Sequence, residues 1–187
     1  MNGQRILFQL AIVSLCFHAC TSIDVRTDFD PAANFTKFKT FAFAGLTETN
    51  KGSVFDNSLT RKRIESAVGR ELTGKGLQQV GLDQNPDLLV HYWIGVQEKQ
   101  RVQGTGPTGG YGWRAGYGSG PGYGTVMTYE YKEGTLILDL VEPAMKELVW
   151  RATMVANLEE STQENIELGK KAIAKAFEQY PPPKAAR

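Results

Sequence analysis

The segment Asp87 to Val102 constrains the fold more than any other part of this chain. Leu88, Val90, Tyr92, Ile94 and Val96 alternate onto one face, and Leu89, His91, Trp93 and Gln97 onto the other. A strand with one wet face carries polar residues at every second position. Apolar side chains on both faces at the start demand cover on both sides, so this is expected to be a central strand. It turns polar at Gln97-Glu98-Lys99-Gln100-Arg101, as a strand does where it leaves the body of a sheet.

The other elements arrange themselves around it. Ser22 to Phe29 alternates and reads as a first strand, and Asp30-Pro31-Ala32-Ala33-Asn34 as a turn. Lys39 to Ala44 is the expected second strand, and Thr47 to Ser53 a polar loop. A helix capped by Asp56 or Ser58 runs to about Lys75, with Ile64, Ala67, Val68 and Leu72 on one stripe. Leu77 to Val80 is a short strand, and Asp83-Gln84-Asn85-Pro86 another turn. Later in the chain, Thr125 to Lys132 and Thr135 to Glu142 are expected to form a hairpin around Glu133-Gly134. Glu147 to Leu158 supplies one more strand. Thr162 to Tyr180 closes the fold as a helix whose stripe is Ile166, Gly169, Ile173, Ala176, Phe177 and Tyr180, and Pro181-Pro182-Pro183 stops it. These elements predict an α+β fold: a largely antiparallel sheet with two amphipathic helices packed on one face.

Between the strands lies a segment of a different kind. Ten of the 22 positions from 103 to 124 are glycine, interleaved with Tyr111, Trp113, Tyr117 and Tyr123. Glycine loses the most entropy on ordering and offers no side chain to pack, so a flexible Gly/Tyr-rich insertion is expected. The four aromatic residues make it a candidate interaction loop for a glycan, an envelope protein or a membrane interface. Arg101 and Arg114 add positive charge beside them.

The amino end gives an address. Arg5 precedes Ile6 to Phe17, an apolar run without a charge, and His18-Ala19-Cys20 follows. The run has the shape of a removable signal peptide and is short for a membrane span. Its end resembles the lipobox of bacterial lipoproteins, which implies a signal peptide over 1–19, a lipidated terminus at 20–22 and acylation of Cys20. One acyl chain anchors only marginally, whereas two or three on one cysteine hold nearly permanently. Thr21 after the cysteine resembles outer-membrane sorting, so the expected place is the periplasmic face of the outer membrane. An ordinary signal peptidase site is the alternative and gives a soluble periplasmic protein. Cys16 leaves with the leader, so no thiol remains in the body for a zinc site, a disulfide or a nucleophile. With the leader removed the formal charge falls from +1 to zero, which gives no electrostatic reason for nucleic-acid binding.

Several further segments together resemble a family of bacterial lipoproteins known as domain of unknown function 4136. They are Asp28-Phe29-Asp30-Pro31 with Phe35, Phe38-Lys39-Thr40-Phe41-Ala42, Asn85-Pro86-Asp87-Leu88-Leu89-Val90, and Tyr129 to Leu136. Asp139-Leu140-Val141, Leu148-Val149-Trp150-Arg151 and Tyr180-Pro181-Pro182 complete the set. The resemblance covers about residues 23 to 182. It implies an exported location and an α+β fold for a single domain over 23–180, followed by a tail at 181–187. It supplies no reaction, cofactor or catalytic residue.

No catalytic constellation emerges from the residues either. His91 stands alone in an apolar strand and reads as a packed side chain, since a typical zinc site needs three or four converging ligands. Asp139 and Arg151 are expected to pair across neighbouring strands, and Glu130, Lys132 and Glu133 to surround a solvated hairpin tip. No nucleophile elbow or phosphate-cradling loop is present. The expected role is therefore a non-enzymatic binding or structural domain without metal or cofactor. The alternatives are an accessory subunit of an outer-membrane assembly, or an enzyme on envelope polymers, for which Asp139, Glu130 and Arg151 would be the first residues to test.

Overall fold

The computed structural model describes residues 22–46, 57–105 and 125–183. The strands are β1 (Ile23–Phe29), β2 (Thr40–Leu46), β3 (Gln78–Gln79), β4 (Leu88–Thr105), β5 (Thr125–Glu142) and β6 (Glu147–Asn157). The helices are α1 (Ser58–Gly74) and α2 (Thr162–Phe177). One mixed sheet holds all six strands in the order β1-β6-β5-β4-β2-β3. The pairs β1–β6, β6–β5 and β5–β4 are antiparallel; β4–β2 and β2–β3 are parallel. The strand with two apolar faces does sit inside the sheet, between β5 and β2.

Both helices cover the same face. Register places Leu88, Val90 and Tyr92 of β4, Leu138 and Leu140 of β5, and Trp150, Ala152 and Met154 of β6 on that side, all buried. Tyr92 donates from its hydroxyl to Glu65 of α1 at 2.9 Å, and Trp150 stacks on Phe177 of α2 with ring centroids 5.2 Å apart. Packing, not intrinsic propensity, holds α2 in place. Burying side chains such as Ile173 and Phe177 contributes about 1.5–3 kcal/mol each, several times the propensity difference between ordinary helix residues.

A carboxylate clips the start of two strands together. Asp87 accepts hydrogen bonds from the backbone N–H groups of Lys39 and Thr40 and from the Thr40 hydroxyl, at 2.8 to 3.0 Å. The Lys39 N–H is the main reason its carboxyl is held below the usual carboxylate range. Nearby, Trp150, Phe177, Tyr180, Phe35, Phe38 and Phe29 form a chain of ring contacts between 5.2 and 6.3 Å. Burial in this cluster pushes the Tyr180 hydroxyl up to about 12.

The structure corrects the expected hairpin at Glu133-Gly134. β5 runs unbroken through both residues, with Glu133 opposite Gln97 and Gly134 opposite Val96. The glycine serves close approach rather than a turn, because a Cβ at 134 would lie 2.8 Å from Leu158. Glu130, Lys132 and Glu133 therefore lie along a strand, not around a tip. Gln103–Thr105, expected in the insertion, belong to β4. Asn57 caps α1, accepting from the Thr60 N–H at 2.9 Å, where Asp56 or Ser58 was expected. α2 ends at Phe177, three residues before the expected stop.

Candidate functional site: a projecting ribbon and an open sheet face

The two longest strands outrun the sheet. β6 pairs with β5 from Glu133 to Glu142, and β2 pairs with β4 only from Leu88 to Tyr92. Among the described residues, Thr125 to Lys132 and Glu98 to Thr105 thus pair as strands only with each other, a two-stranded ribbon whose root is fastened by the Leu158 N–H donating to the Lys132 carbonyl at 2.7 Å. Eight residues at about 3.3 Å each carry it about 26 Å beyond the body. An isolated ribbon is marginal in water, and cross-strand pairs hold this one. Lys99 lies 2.5 Å from Glu133, Gln100 donates to Glu130 at 3.0 Å, and Arg101 sits 5.8 Å over the Tyr131 ring.

The ribbon shows apolar side chains to solvent. Val102 and Val126 are each 65 % exposed, and Met127 and Tyr129 about half exposed. Met127, Tyr129 and Tyr131 share one face with Lys99, Arg101 and Gln103 by register. Its edges are unpaired among the described residues, a geometry open to strand addition. Its strands end at Thr105 and Thr125. Tyr111, Trp113, Tyr117 and Tyr123 lie outside the described residues, as does Cys20.

The helix-free face of the sheet presents a polar row across four strands. Asp28 of β1, Arg151 of β6, Asp139 of β5 and His91 of β4 are consecutive register partners. Arg151 grips Asp139 with two hydrogen bonds of 2.6 Å, the fork geometry that suits guanidinium and carboxylate. The expected pair is present. Glu130 is nine residues away along β5, about 30 Å, and bonds Gln100 instead. The three residues considered for catalysis are not brought together. No group of His, Cys, Asp and Glu among the described residues could hold a metal ion.

Sequence reasoning missed one feature of this face. The Trp93 indole lies across Gly95, and a Cβ at 95 would fall 2.1 Å from the ring. The spacing Trp-x-Gly in a strand puts both residues on one face and was the available signal.

Solved structures with TM-scores above 0.5 share this fold. A PDZ domain protein from Parabacteroides distasonis is 16 % identical with a TM-score of 0.55; the match covers 89 % of this chain but only 38 % of that one. A DUF4136 family protein from Bacteroides thetaiotaomicron is 20 % identical with a TM-score of 0.51, covering 85 % of this chain and 96 % of that one. The PelC dodecamer from Paraburkholderia phytofirmans gives a TM-score of 0.47 at 16 % identity, covering 83 % and 95 %. No curated protein matches the sequence. The family model described as "Domain of unknown function (DUF4136)" matches residues 25–182, and the chain belongs to that family.

Proposed function

We propose that this chain is a cell-envelope lipoprotein, tethered through Cys20 to the periplasmic face of the outer membrane, whose body is a non-enzymatic binding domain. The observation that carries the reading is the charge-free run Ile6 to Phe17 ending at Ala19-Cys20, directly before a folded body whose first strand starts at Ile23. Acylation of one cysteine with two or three chains would make that end a lasting anchor. Metabolic labelling with palmitate in native cells tests it. Label on the wild-type chain that is lost in Cys20→Ser, together with precursor accumulation under globomycin, is the expected result. Unlabelled wild type with unchanged processing would reject the tether.

The ribbon favours a second, compatible reading: an accessory subunit that meets an envelope partner through its arm. Exposed Val102, Val126, Met127 and Tyr129 on an arm with free edges support it. Crosslinking in solubilised envelopes should then capture a recurrent partner from wild type and not from a chain lacking residues 106–124. Recovery of the protein alone in both cases would count against this reading.

A further inference from the structure

Helices α1 and α2 both start at the end of the sheet from which the ribbon leaves, and they do not close over the strands there. Between them lies an apolar cleft of about 230 Å³. Its floor is Ile94, Leu136 and Met154, which are register partners on the helix-facing side. Ile64 of α1 and Ile166 and Ile173 of α2 form its walls. Small residues keep it open: a Cβ placed on Gly169, which lines the cleft, meets nothing within 4 Å. An engineered cavity of about 150 Å³ with such a lining stays dry and takes up benzene. This one opens to solvent through its mouth, so its apolar lining is wetted when empty and gains by burial under an alkyl chain.

The mouth is positive. Arg63 and Lys170 border the cleft, as do Thr60 and Thr162 in the first turns of the two helices. Lys170 is bonded to Glu167 at 2.7 Å, whereas Arg63 forms no ion pair among the described residues. The N-terminus of α1, with no acidic residue in its first turn, adds partial positive charge on the same side, whereas α2 carries Glu164 in its own first turn. An apolar slot with a cationic rim complements a molecule with an alkyl tail and an anionic head.

We infer that this cleft binds a long-chain carboxylate, with the alkyl chain on Ile94, Leu136 and Met154 and the carboxylate at Arg63. The inference goes beyond the tether reading and does not depend on whether Cys20 is acylated.

Laurate binding measured by calorimetry on the Cys20→Ser chain tests it, because no lipid at residue 20 can then compete. Saturable binding is expected, about tenfold tighter for laurate than for decanoate, as two extra buried methylenes require. Gly169→Phe, whose ring enters open space, should abolish it. Arg63→Gln should weaken laurate about threefold to fivefold and leave dodecanol unchanged. Should Gly169→Phe lose its fold, the Arg63→Gln contrast between acid and alcohol decides alone. Absence of saturable binding, or binding that neither substitution alters, would overturn the inference.

Discussion

Helix α2 meets the sheet differently at its two ends. At the C-terminal end Phe177 stacks on Trp150 and touches Tyr180, which meets Phe35, so aromatic rings fill the space between layers. At the N-terminal end Gly169 stands over Ile94, Leu136 and Met154 across a cleft of about 230 Å³. One helix and one sheet thus give a closed half and an open half. The closed half also contains the Asp87 clip between β2 and β4; the open half contains the root of the ribbon. Dense packing and open space lie at opposite ends of the same layer.

The largest effect should come from the closed half. Trp150→Ala removes a fully buried ring and should cost about 3–5 kcal/mol in urea unfolding. Leu136→Ala, on the cleft floor, should cost no more than about 2 kcal/mol, because that side chain already lacks neighbours on one side. Equal costs would erase the contrast.

Asp87→Ala should follow at about 2 kcal/mol, leaving three donors without their carboxylate. The carboxyl is held low in the folded state, so its contribution is complete above the ordinary value near 3.9. It is lost as pH falls through the lower folded value. The stability difference between wild type and Asp87→Ala should therefore shrink below about pH 3.9. A difference that stays constant to pH 2 would assign the effect to packing instead.

The two glycines at the open end should behave oppositely. Gly169→Ala should stabilise by about 1 kcal/mol through helix propensity, since its Cβ meets nothing. Gly134→Ala should destabilise, since its Cβ would press on Leu158. Thermal melts of the pair read both signs. The smallest effect belongs to the helix-free face. Arg151→Gln should cost no more than about 1 kcal/mol despite the fork to Asp139, because its side chain is 46 % exposed.

Most of the architecture was legible because strand and helix periods are local. The double apolar face of Leu88 to Trp93 announced a central strand, and the stripe ending at Phe177 and Tyr180 announced a docked helix. Glu133-Gly134 misled because glycine has two structural uses. It permits a turn, and it also permits a close approach such as that of Leu158, which depends on a residue far along the sequence. The parallel joining of β2 to β4 was hidden for the same reason. The Asp139–Arg151 pair was legible because both residues lie on neighbouring strands joined by a short turn. The cleft was not, since its lining comes from five separate elements and its defining property is what they leave unfilled.

Hydrogen exchange along α2, with and without laurate, tests the two-ended account most directly. Amides around Ala172 to Phe177 should be well protected throughout. Amides of the first two turns, from Gln163 to Gly169, should exchange faster and then slow with laurate, together with the first turns of α1. Uniform protection along the helix, unchanged by laurate, would contradict the account.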